Sequence, residues 1–218
     1  MITEILSGFL FWFIIITNIA SGRFGYETFS DLNADAKLQK INSDPKKFKI
    51  GTALILVEHV SIICLAVMLL LAFSPYNMML AFVWVISRTG EALIQIYNKK
   101  RYWGLLNMAK KHAVASDAEK TAITASGRGI LETKNTVFTF AQVLFSIGTL
   151  AYSILFVTYG VVPDVIGWFG IVASVIYGLG SGIKLGKSNF KAVWSIGGLL
   201  IFIFELILGG WLLFSSLF

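Results

Sequence analysis

Residues Val83–Trp103, VWVISRTGEALIQIYNKKRYW, decide how the chain is read. The stretch opens as an apolar helix long enough to enter a membrane, yet it carries Arg88 and Glu91 inside that run. Trp84, Arg88, Glu91 and Gln95 recur at intervals of four, three and four, so a helix places them on one face. An ionisable side chain at the bilayer centre costs about 2.5–3.5 kcal/mol even on the lenient insertion scale. Such a stripe persists only against protein, water or a counter-charge.

Outward from this helix the composition is that of a membrane protein. Hydrophobic residues make up 56% of the 218 residues and charged residues only 14%, against about 25% in a soluble domain. Six stretches reach the length a hydrocarbon core requires: 4–22, 50–73, 77–97, 135–160, 165–185 and 192–217. The predicted fold is therefore all-α, a polytopic helical bundle forming a single transmembrane domain over 1–218. A helical hairpin over 98–134 projects from it. The first stretch resembles a signal peptide in ending at Ala20-Ser21-Gly22, but it carries Glu4 where a positive n-region belongs; it is read as a retained helix.

Of the 18 Lys and Arg residues, 6 lie in 22–50, 8 in 99–134 and 3 at 184, 187 and 191. The remaining one is Arg88. Basic loops stay on the cytoplasmic side, which predicts both termini outside a cell membrane. The charge thus reports topology and anionic headgroups, and nucleic acid is not an expected partner. One cysteine, Cys64, excludes an intrachain disulfide.

In the first basic loop Ala34, Leu38 and Ile41 repeat at helical spacing. They fit a short helix on the membrane surface as well as a solvated linker. Asp44-Pro45 then starts a new helix, since proline suits the first helical position. Ser116 with Glu119 forms a capping box for a second cytoplasmic helix. Gly170, Ser174, Gly178, Gly182 and Gly186 fall four apart. Small residues so spaced let helix backbones approach closely, within the bundle or across a homo-oligomer. The nearby GSGIKLGKS lacks the first glycine of a phosphate-binding loop and no strand precedes it, so that motif is rejected.

The chain resembles a prokaryotic family of multi-pass membrane proteins known only as a domain of unknown function, four-three-eight-six. The carriers are Lys49-Ile50-Gly51, Arg88 with Glu91-Ala92, the run Pro163-Asp164-Val165-Ile166-Gly167-Trp168-Phe169-Gly170, and Phe204-Glu205-Leu206 before Trp211-Leu212-Leu213. Their order and spacing cover most of the length. Asp164 stands where the family usually has a basic residue, so no role is carried over to that corner. The resemblance implies a helical membrane fold and supplies no activity or substrate.

The candidate polar site within the bundle comprises Glu58, His59, Arg88, Glu91, Gln95, Gln142 and Glu205. Arg88 can satisfy one or two carboxylates with forked hydrogen bonds. The remainder would be protonated, hydrated or bound to a cation. Three readings of this cluster stand side by side: an interhelical clamp through Arg88, Glu91 and Glu205, a functional polar site, and incidental snorkelling. His59 and His112 with one cysteine are too few for a zinc or bis-histidine haem site. No metal and no cofactor is expected. The functions weighed are a small proton- or ion-linked carrier or channel, a structural or regulatory protein with a cytoplasmic partner, and an intramembrane lipid-acting enzyme. The last lacks a nucleophile.

Overall fold

A computed structural model describes residues 2–186 and 191–215. The termini Met1 and Phe218, and Lys187 of the third basic cluster, lie outside the described residues. Within them every regular element is a helix: α1 (Ile2–Arg23), α2 (Ala34–Ser43), α3 (Pro45–Phe73), α4 (Met78–Trp103), α5 (Leu105–Val114), α6 (Asp117–Tyr159), α7 (Asp164–Leu185) and α8 (Lys191–Phe214). Six helical stretches are long and apolar enough to cross a membrane, and the protein is a multi-pass membrane protein.

Local chemistry sets the helix ends. The Asn33 side chain accepts the Ala36 N–H at 3.1 Å and opens α2. Asp44 accepts the Lys47 N–H at 2.9 Å and opens α3. Asn77 does the same for Leu80 at α4. At Ser116 half of the predicted box forms: the backbone N–H donates to Glu119 Oε2 at 2.8 Å, while the hydroxyl donates to the same oxygen at 2.7 Å and does not cap the Glu119 N–H. Each such cap satisfies donors that a helix start otherwise leaves unpaired. The 43 residues of α6 make a rod about 65 Å long at 1.5 Å per residue, roughly twice the thickness of a hydrocarbon core. The second helix of the predicted hairpin and the fourth span are therefore one uninterrupted helix. Gly160, at φ +59°, ends it.

The chain divides into two compact units. The first comprises residues 1–15, 59–93 and 139–218. Its core is aliphatic and aromatic, built on Phe11, Leu65, Trp84, Tyr152, Phe156 and Phe204. Helices α7 and α8 pack along their length because glycines allow it. A Cβ on Gly197 would stand 2.6 Å from the Tyr177 backbone, and one on Gly180 2.7 Å from that of Trp194. The second unit comprises 16–58 and 94–138, with a smaller core around Tyr26, Leu38, Phe48, Tyr102 and Leu131. In it α2 packs on α5, and Ala34, Leu38 and Ile41 are all buried. The expected short helix forms and its weak apolar face is covered by protein, so the solvated linker does not describe it.

Candidate functional site

In the first unit Arg88 is 1% exposed. Its Nη1 donates to Glu91 Oε2 at 2.6 Å. The guanidinium lies over the rings of Phe145, at 4.3 Å, and Trp84, at 5.3 Å. Trp84 is itself held by its Nε1–H bond to the Ala66 carbonyl, at 3.2 Å, and by an edge contact with Tyr152. Room for the arginine stem comes from Gly148, where a Cβ would stand 3.2 Å from Arg88 Cγ. Desolvated cation–π contacts contribute about 2 kcal/mol or more, so the two rings and the carboxylate replace part of the water that Arg88 gives up, while its buried Nε is left without a hydrogen bond among the described residues.

The ion pair spans three residues of one helix, and it therefore joins no two helices. What ties Arg88 across the bundle is Phe145 on α6. Glu205 on α8 is half-buried and lies within electrostatic reach of Arg88 and Glu91. Among the described residues no hydrogen bond or ion pair joins Glu205 to Arg88. The centre therefore holds one cation and two carboxylates, and only Glu91 is bonded to the cation. His59 and Gln142 are buried in the same unit.

Glu58 and Gln95 belong to the second unit. Glu58 accepts a hydrogen bond from Asn18 Nδ2 at 3.0 Å, and Gln95 is buried. The seven candidate residues are thus divided between two units.

The glycine stripe is split too. A Cβ on Gly170 would collide with Ser153 Oγ and the Phe204 ring, and one on Gly178 would press on Ser146 at 3.1 Å. Ser174 is buried and its hydroxyl donates to the Gly170 carbonyl at 2.6 Å. Among the described residues a Cβ on Gly182 would meet nothing within 4 Å, and one on Gly186 would meet only backbone of its own helix.

The second unit contains a centre that the sequence did not point to. Lys37, Lys99 and Lys134 are all buried. Lys134 Nζ donates to the carbonyls of Glu27, at 2.6 Å, and Thr28, at 2.8 Å. Its ammonium also lies near the Tyr26 and Tyr102 rings, at 5.1 and 5.6 Å. Lys37 pairs with Glu27 Oε1 at 2.9 Å and donates to the Gly25 carbonyl at 3.3 Å. Lys99 lies over the Tyr26 ring at 5.3 Å and, among the described residues, has no hydrogen bond or ion pair. Burial pushes the Tyr26 hydroxyl well above its usual value, with Tyr102 and then Glu58 adding to the rise. Next to Lys134, Asn135 clamps the Ser30 backbone from both sides. Its Oδ1 accepts the Ser30 N–H and its Nδ2 donates to the Ser30 carbonyl, both at 2.8 Å. Lys134 and Asn135 thus hold residues 27–30 against α6.

A family model described as "Domain of unknown function (DUF4386)" matches residues 6–215. No curated protein and no solved structure matches the chain.

Proposed function

Because the chain belongs to the DUF4386 family of unknown function, we propose from the site alone that it is a small proton- or ion-linked carrier of the cell membrane. Its exchanging group is Glu205, beside the Arg88–Glu91 pair. The supporting observation is the charge imbalance: two carboxylates share one guanidinium, and the bond at 2.6 Å goes to Glu91. A second carboxylate in a low-dielectric interior needs a proton or a cation to balance it. Loading and release at one such carboxylate is the elementary step of ion-linked transport. The basic loops put residues 22–50 and 99–134 in the cytoplasm and both termini outside.

The alternative, a purely structural clamp, draws on the enclosure of Arg88 between Phe145 and Trp84. It gives Glu205 no partner. Proton uptake into potassium-loaded proteoliposomes under a valinomycin potential separates the two. The carrier predicts uptake above that of protein-free liposomes, abolished by Glu205→Gln. Uptake equal to protein-free liposomes contradicts it.

A further inference from the structure

The second unit holds a cavity of about 250 Å³ between the exit of α1, the length of α2 and the start of α3. One glycine, Gly25, lines it, and a second, Gly51, brings the neighbouring helices together. Gly25, at φ +81°, adopts a left-handed turn that L side chains rarely take; its carbonyl meets Lys37 Nζ. Gly51 lets α3 approach the α1 exit so closely that a Cβ there would stand 2.8 Å from the Phe24 carbonyl. Phe24, Ile41 and Phe48 give the cavity an apolar side. Lys37, Lys40 and Lys47 give it a basic one, with Asp44 the single acid.

These charges are not equivalent. Lys37 is committed to Glu27 and Gly25. Asp44 is engaged in capping α3 through the Lys47 N–H. Lys40 and Lys47 are exposed, and among the described residues their ammonium groups have neither a hydrogen bond nor an ion pair. Lys40 and Lys47, whose ammonium groups are uncommitted, thus line one cavity together with a single carboxylate, Asp44, which accepts the Lys47 N–H through Oδ1. A doubly charged anion with tetrahedral oxygens suits that pair, because charge-assisted N–H···O bonds are the strong ones. The adjacent phenylalanines and isoleucine suit the glycerol and first methylenes of a lipid. Lys46 and Lys49 sit on the same helix turn of α3 but do not line the cavity.

We propose that this cavity binds a phosphate monoester through Lys40 and Lys47, with Phe24, Ile41 and Phe48 receiving the apolar part of an anionic lipid. The test uses the full chain in nanodiscs of phosphatidylcholine with and without phosphatidate, and separately with inorganic phosphate, reading the melting temperature. Lys40→Gln/Lys47→Gln is compared with the charge-matched Lys46→Gln/Lys49→Gln. Phosphatidate should raise the melting temperature of the parent and of Lys46→Gln/Lys49→Gln. The Lys40→Gln/Lys47→Gln double should need about tenfold more phosphatidate for the same shift, as expected for loss of charge-assisted contacts. Stabilisation by phosphatidate alone assigns the site to a lipid headgroup, and equal stabilisation by inorganic phosphate assigns it to a soluble phosphate. If both doubles respond alike, or the parent responds to neither probe, the site does not exist.

Discussion

The two units bury positive charge in different ways. In the first, one arginine is matched by a carboxylate a single helical turn away and flanked by two aromatic faces. In the second, Lys37 takes one carboxylate oxygen and a carbonyl, Lys134 takes two carbonyls, and Lys99 lies over the face of Tyr26 with no hydrogen bond among the described residues. The guanidinium is planar and weakly hydrated, and it can be satisfied by rings and a carboxylate. An ammonium is compact and strongly hydrated, and it calls for oxygen atoms. The difference decides what each centre does mechanically. Arg88 is braced by side chains of its own helix and α6, whereas Lys134 fastens backbone: it pins the irregular segment 27–30.

Removing Arg88 should have the largest effect. Breaking a buried ion pair from one side costs about 3–5 kcal/mol, whereas removing both members is close to neutral. Arg88→Ala should therefore lower the melting temperature in detergent sharply. Adding Glu91→Gln should recover more of the loss than adding Glu205→Gln, because the 2.6 Å bond is to Glu91. Equal rescue by the two would mean that Arg88 serves both carboxylates alike, and the first half of the comparison fails.

Lys134→Met should come next. It leaves the Glu27 and Thr28 carbonyls without their donor, and each buried unsatisfied group costs about 1–3 kcal/mol. The loss should be local: limited proteolysis should cut within 24–33 faster than in the parent. An unchanged cleavage rate would show that Asn135 holds the segment without Lys134.

Much of the bundle was legible because membrane burial writes itself into composition. The six spans follow from the apolar runs, and the reach of Glu119 back to the Ser116 N–H and the pairing of Arg88 with Glu91 follow from spacing along one helix. Glu205 could be suspected from its depth, but its lack of a bond to Arg88 depends on how α8 docks on its neighbours. The lysine centre was hidden for a different reason. Lys37, Lys99 and Lys134 lie in basic loops, where positive charge already has an explanation in topology, and their positions are far apart in sequence. Nothing in a single sequence separates a lysine facing water from one folded under a tyrosine. The glycine stripe shows the converse. A regular interval drew attention to Gly182, which meets no neighbour among the described residues of this chain, and away from Gly180 and Gly197, whose missing side chains let α7 and α8 meet.

The central claim is that Glu205 exchanges a proton while Glu91 remains tied to Arg88. Infrared difference spectroscopy of the reconstituted protein between acidic and alkaline buffer reads protonated carboxyl groups directly. Beside the bands of exposed carboxyls, one carboxylic C=O band should appear at acidic pH, shift in deuterated buffer and vanish in Glu205→Gln, while in Glu91→Gln, which leaves Arg88 to Glu205, it should persist but appear only at lower pH. A band lost in Glu91→Gln but kept in Glu205→Gln, or a Glu205→Gln spectrum identical to that of the parent, would contradict the account.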